Sequence, residues 1–525
     1  MKHITPRNKY LVAATTLVVL SGCGKTSSQS EVVPADSIYA PEQQILTMLP
    51  DTAYQSVESV KFTVELVDSV SGELISLTDP YASSPGAFTF RKGQLRQADF
   101  GGRVKGTPSD IVVDWTFETD YDLRQTSVGT WGGGTGWTGQ PVLVEWPDSL
   151  MTRMKGAEGV LPAFGQQEII FGSLASKVYF VNYQTGEASR SPIGVNNPIK
   201  GSVSLDPSLN GNLYVGHGAP AERPFGALVI DLFAHKIVQV TPEDPKAPRH
   251  WGAYDSSAIR AGQFLIRPGE NGRIYKFTVA PGELKLHSAL SYTVDGMGPG
   301  IESSMAVYCN YGYTADNAGN LLCINLNTMH PVWLYRLGDD SDATPVVNVE
   351  DGVPYVYAAS EIDRQGVGTA RFAKINGLTG EPVWEQRIEG RRFDIDTKHF
   401  DGGFYATPLL GSGNCSNLIF ANCVLNLNGQ NGEMIAFERE TGNISYRLPL
   451  KYYAWSSPVA FLNENDEMFI VNFDCSGYAY LIDAAKGDVI TTKLVGANFE
   501  SSAVVKDNTL VIGSRGNSVM RLSIK

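Results

Sequence analysis

Residues 393–403, FDIDTKHFDGG, gather Asp394, Asp396, His399 and Asp401 on one short segment. Carboxylate oxygens at alternate positions are a ligand set for Ca²⁺, but the loop lacks the Asp-Gly turn and closing Glu of an EF-hand. Its plainer reading is a solvated acidic loop, with a cation or a partner contact as the alternative. The seven histidines, His3, His217, His235, His250, His287, His330 and His399, show no His-x-x-x-His or Glu-x-x-His spacing. Two ligands are therefore not placed on one face, and no zinc site is indicated. There is no Gly-x-Ser-x-Gly elbow and no phosphate-cradling loop; the many glycines belong to hairpin turns that need positive φ. These grounds assign no catalytic, cofactor-binding or metal-ligating residue.

The elements that would position any site are repeats. Gly186, His235, Gly282, Met329, Gly380, Gly442 and Gly487 are surrounded by similar sequence at spacings of 49, 47, 47, 51, 62 and 45 residues. Each copy is an apolar run, a polar turn and a second run, as in 372–388, FAKINGLTGEPVWEQRI. Period-2 alternation with β-branched and aromatic residues at a period near 50 predicts the four-stranded blades of a β-propeller. The repeats commonly open on a small hydroxyl pair: Ser256-Ser257, Ser303-Ser304, Ser456-Ser457 and Ser501-Ser502, with Thr344-Pro345 and Thr407-Pro408 at matching positions. The chain ends at Lys525 one strand short of a full blade. Residues 110–119, DIVVDWTFET, supply the missing outer strand, which makes eight blades and removes the open sheet edge. The fold class is thus all-β: an eight-bladed propeller over 109–525, closed by an N-terminal strand, with a small β-rich extension over 41–108. Such a ring is expected to be monomeric.

Charge and cysteines bound the rest. A formal net charge of −13 and a pI near 5.1 argue against nucleic acid, whose phosphates need a cationic surface. At the N-terminus, Lys2, Arg7 and Lys9 precede an apolar run from Leu11 to Leu20, too short to span a bilayer, and then Leu20-Ser21-Gly22-Cys23. This resembles a bacterial lipobox. The resemblance implies a signal peptide over 1–22, diacylation of Cys23 and a membrane-bound mature chain. Residues 23–40 read as a flexible tether, and Gly24 in place of Asp favours the outer membrane of a Gram-negative cell. Of the other cysteines, Cys309 and Cys323 fall on strands separated by a third, too far apart to pair, and a Cys423–Cys475 disulfide remains to be tested.

The repeats resemble the quinoprotein-type, or PQQ-like, propeller family: a strand ending in apolar-Asp or apolar-Asn, a turn with Gly, and Trp four residues later. Gly380 to Trp384 fits fully, and Met329 to Trp333 fits with Gly replaced. The resemblance implies inter-blade packing for Trp333 and Trp384, and by extension for Trp115. Its catalytic branch, the PQQ-dependent alcohol dehydrogenases, implies adjacent cysteines, Ca²⁺ ligands and a catalytic Asp; no adjacent cysteine pair and no Cys-x-x-Cys-His haem site exist here. Its scaffolding branch, the lipid-anchored propellers of the BamB type, matches in lipoprotein signal, ring size and missing cofactor residues. The expectation is therefore a non-enzymatic, cofactor-free interaction scaffold at the bacterial envelope. Alternatives are a glycan- or small-ligand-binding lipoprotein and a divergent PQQ-dependent dehydrogenase. In a meander blade the blade-joining loops share one rim. Trp131, Trp137, His250, Trp251, Arg391, Arg392, His399, Tyr452, Tyr453 and Trp455 lie on these loops and form the candidate surface for an envelope protein or glycan; half of them plugging the entrance is the competing reading.

Overall fold

The computed structural model describes residues 59–68, 74–395 and 398–525. The chain divides into two units, Met1–Leu46 and Thr47–Lys525, and every described residue lies in the second. The signal segment, Cys23, the tether and Asp396 lie outside the described residues. Among those described, no helix is long and apolar enough to cross a membrane.

Eight antiparallel four-stranded blades form a β-propeller. We number them from the blade that opens at Val142–Glu145. Blades 2 to 7 open with Ser204–Leu205, Ile259–Ala261, Ala306–Tyr308, Val346–Glu350, Leu409–Leu410 and Val459–Leu462, and blade 8 with Val504–Lys506. The middle strands are mostly apolar because neighbouring blades cover both faces: every residue of Leu418–Val424 is buried. Outer strands have one face in solvent and alternate, as Lys236–Pro242 does. Blade 7 follows the sequence reading closely, with strands Val459–Leu462, Met468–Phe473, Tyr478–Asp483 and Asp488–Leu494. Ring closure also occurs as read from the sequence: Ile111–Glu118 pairs antiparallel with Ser518–Ile524, Ile111 opposite Ile524.

All seven ladder positions have positive φ, including His235 at 52° and Met329 at 61°. Four of the glycines are also contact sites for an aromatic wedge from the preceding blade. A Cβ on Gly186, Gly380, Gly442 or Gly487 would lie 2.6–2.8 Å from the ring of Trp115, Trp333, Trp384 or Tyr446 respectively. Each wedge also donates a hydrogen bond to the carbonyl three residues before that glycine: Trp115 to Tyr183, Trp333 to Gly377, Trp384 to Arg439 and Tyr446 to Ala484. The functional partner of each tryptophan is thus the next blade's glycine, not the glycine of its own hairpin. Arg190 takes the wedge position in blade 1. It donates to Leu232 O at 2.9 Å, again three residues before the ladder position, and is held by the fully buried Glu168. Gly442→Ala would place a methyl against Trp384 and an L-residue at φ +75°, so a loss of about 1–3 kcal/mol is expected in equilibrium denaturation. A loss no larger than a neutral surface change would show that this contact is not a constraint.

The N-terminal part of the propeller unit is distributed around the ring. Val60–Leu66 adds a fifth strand to the outer edge of blade 3, Val60 opposite Val294. Gly86–Ala87 adds one to the inner edge of blade 1. Residues 88–96, FTFRKGQLR, alternate like a strand within the expected β-rich extension but form a tight coil with Arg91, Lys92 and Arg96 at positive φ. They are not a strand because no free edge faces them; across residues 86–103 the chain instead bonds to one blade after another around the ring. Phe88 O, Gln94 O, Leu95 O and Gly102 O accept from Leu205, Val307, Val347 and Leu462. The Arg91 guanidinium donates to Pro408 O and Pro458 O, and Arg103 N to Asp507 O. The segment therefore fills the axial channel.

Cys323, Cys415, Cys423 and Cys475 are free thiols. Cys423 is in a middle strand of blade 6, whereas Cys475 sits in a turn of blade 7 with its thiol on Phe499 O, so the pairing considered above does not form. The two positions are not equivalent in their blades.

Candidate functional site

The hydroxyl pairs build a ring. The backbone N–H of Ser257 donates to Ser304 Oγ, Ser304 to Thr344, Thr344 to Thr407, Thr407 to Ser457 and Ser457 to Ser502, at 2.9–3.4 Å. Gln140 N donates to Ser202 Oγ in the same way. The residue two positions before each acceptor, with Asp255 before Ser257, then gives a second ring on the rim where the blade-joining loops lie: Lys200, Asp255, Glu302, Asp342, Tyr405, Trp455 and Glu500, one from each of blades 2 to 8. One arc of it is charged and the other aromatic.

In the charged arc, Lys200 forms ion pairs with Asp255 and Glu302 and lies 5.8 Å over the Trp131 ring. Burial works against its ammonium, but Asp255, Glu270 and Glu302 hold its pKa well above the usual value. Asp255, Glu270 and Glu302 bring ligand oxygens within 4.8 Å of one another, and so do Asp340, Asp342 and Glu361. Glu361 is carried to the rim because Glu361–Ile362 pairs with Gly402–Gly403, which continues onto blade 6. Burial and then the Glu302 charge push Asp340 up to about 8. Burial, Glu302 and Asp340 raise Asp342; burial, Asp342 and Asp340 raise Glu361. Among the described residues no cation pairs with the second triad: Arg364 is spent on Asp339, and Arg392 on Asp363 and Asp394.

In the aromatic arc, Tyr405 stacks on Trp455 at 4.5 Å and 19° and meets Trp137 edge-on at 6.2 Å. Trp455 continues to Tyr453 and Tyr453 to Phe400. Of the candidate rim residues, the fold therefore gathers Trp137, Tyr453 and Trp455 into one cluster, with Trp137 and Tyr453 only 8% and 5% exposed. Trp131 stands beside Lys200 and Arg515. His250 and Trp251 lie apart in a cleft of about 370 Å³ with Phe225, Pro220, Ser127 and Arg223. There the Trp251 indole donates to Glu270 at 2.8 Å. Arg391 is turned onto Asn426 O, Arg392 and His399 both contact Asp394, and Tyr452 is exposed by itself. The sequence reading missed the carboxylates, Lys200 and Tyr405. Their signal was the acid directly before three hydroxyl pairs, in Asp255-Ser256, Glu302-Ser303 and Glu500-Ser501.

The chain superposes on solved propellers. A europium-containing methanol dehydrogenase is 11% identical with a TM-score of 0.56, covering 84% of this chain and 99% of that one. The quinohemoprotein alcohol dehydrogenase of Comamonas testosteroni is 11% identical with a TM-score of 0.57, over 85% and 81%. These superpositions show a shared β-propeller fold. BamB from Moraxella catarrhalis is 15% identical over 70% of this chain and 96% of that chain, at a TM-score of 0.46. No family model and no curated protein matches the sequence.

The axial rim does not fit pyrroloquinoline quinone. That group carries three carboxylates, and here it would face Asp255, Glu270, Glu302, Asp340, Asp342 and Glu361 with Lys200 already paired. Like charges in a buried setting repel strongly. The arrangement suits a cation.

Proposed function

We propose that the protein is a lipid-anchored, non-enzymatic propeller that serves as a protein-interaction scaffold at the bacterial envelope, held by Cys23 in the outer membrane. The observation that carries this reading is the asymmetry of the ring. One segment fills the channel, while the rim of blade-joining loops gathers aromatic and charged groups that no catalytic constellation uses. The failed fit to the quinone supports the absence of dehydrogenase chemistry.

The test is a mild-detergent pull-down from native envelope with tagged full-length protein. It is compared with Cys23→Ala and with a rim variant, His250→Ala with Tyr452→Ala, both exposed so that folding is spared. Recovery of outer-membrane assembly components by the wild type, with loss of about tenfold in the rim variant, is expected. A clean, partnerless preparation would reject the scaffold. The cleft of His250 and Trp251 favours a second reading, a glycan site; a soluble saccharide that raises the melting temperature of the wild type but not of Trp251→Ala would support it.

A further inference from the structure

We propose that the triad Asp340, Asp342 and Glu361 binds a primary ammonium group, supplied by a lysine side chain of the protein partner. The inference rests on the scaffold reading and names the chemistry of its contact. Two triads stand side by side on the rim, and the first shows how such a site is completed. Lys200 reaches across from blade 2, pairs with Asp255 and Glu302, and lies against an indole. The second has the same make-up without the amine. Its three ligand oxygens lie within 4.8 Å of one another, matching the three donors of an –NH₃⁺ group.

The Asp342 carboxylate is the independent pointer. It is 7% exposed with its oxygens reaching solvent, and among the described residues no hydrogen bond or ion pair holds its carboxylate. Its own N–H is bound by Glu361 at 2.9 Å, which fixes the loop and aims the two acids together. A carboxylate buried without a partner costs several kcal/mol unless a proton or a cation neutralises it. The route in is open at Asp340 and Asp401, both part-exposed. Tyr405, with its hydroxyl on Asp401, gives a polar tip beside the triad and an aromatic wall behind it. A slender alkyl stem ending in an ammonium suits this mouth better than a flat or anionic group.

The experiment uses the full chain and three probes: the peptide acetyl-Gly-Lys-Gly-amide, the same peptide with Nε-acetyllysine, and CaCl₂. NMR titration of the isotope-labelled peptide reads binding directly, and thermal denaturation of the protein reads linkage. The lysine peptide is expected to bind saturably and raise the melting temperature, the acetylated peptide to do neither, and Asp342→Asn with Glu361→Gln to weaken binding about tenfold or more. Asp255→Asn, in the triad already filled by Lys200, should change it little. Equal binding by the double variant, no binding by the lysine peptide, or stabilisation by Ca²⁺ alone would overturn the proposal, the last assigning a metal instead. If the double variant still recovers the partner from envelope, the ammonium site fails and the scaffold stands; if the wild type recovers nothing, the scaffold fails first.

Discussion

Replacing Asp340 and Asp342 with asparagine is expected to stabilise the protein at pH 8 by about 3 kcal/mol and to flatten its stability between pH 8 and 6. In the folded chain, burial and the Glu302 charge hold Asp340 at about 8, and burial with Glu302 and Asp340 raises Asp342. A carboxyl whose folded pKa lies above its unfolded value binds its proton more tightly when folded. Its stabilisation is therefore complete below the unfolded pKa, near 4, and is lost as pH rises through the folded value. His217 opposes this from the acid side. Its Nδ1 accepts from Gly226 N and its Nε2 meets Val195 O, and burial lowers it to about 4. As pH falls from about 6.5 to 4 the unfolded chain takes up a proton that folded His217 refuses, a loss of about 3 kcal/mol. The carboxyls lose stability over about pH 4 to 8 while His217 offsets this only up to about pH 6.5, so wild-type stability should fall along an alkaline limb from about pH 6.5 to 8 in urea titrations, and the Asp variant should lose that limb. An unchanged alkaline limb would mean that these carboxylates are already neutralised.

Arg96→Ala should cost about 3–5 kcal/mol, the largest loss expected from a single change outside the blades. Arg96 is fully buried in the axial channel. Its Nε donates to Met305 O at 2.8 Å, Nη1 to Thr89 Oγ1 and Phe90 O at 2.8 and 2.7 Å, and Nη2 to Ser257 O at 3.2 Å. These acceptors belong to blades 3 and 4 and to the axial segment itself, so truncation leaves buried carbonyls unpaired and unpins the segment from the ring. Burial lowers the guanidinium to about 10, which keeps it charged at neutral pH. Arg96→Lys would keep charge without the planar fork and should recover only part of the loss. Chemical denaturation within about 1 kcal/mol of wild type for Arg96→Ala would show that the axial segment is dispensable to the ring.

The hairpin period was legible because it is enforced locally. A turn with positive φ, an apolar strand covered on both faces and an alternating outer strand each leave a signature within a dozen residues, so His235 and Met329 could be aligned with five glycines. The composite blade was legible for a related reason: a ring cannot end on an open edge, and Ile111–Glu118 was the unassigned strand of the right type. The axial segment was not. Residues 88–96 alternate like a strand, but the segment 86–103 finds its partners on successive blades, from Val144 to Asp507, and alternation says nothing about such a partner set. The same holds for the rim. The exposed aromatics drew attention by type, yet Trp137 and Tyr453 turned out to be packed, and Arg391 serves a neighbouring loop.

The sequence by itself determined the number of blades, their phase and the way the ring closes, because each follows from short-range turn chemistry and from counting strands. Only the tertiary structure decided which residues face one another across the axis. Lys200, Asp255, Glu302, Asp342, Tyr405, Trp455 and Glu500 occupy one repeat position, but whether that position points inward, and which members touch, depends on blade tilt and closure of the whole circle. The charge balance that leaves one triad filled by Lys200 and the other without an amine exists only once that circle is closed.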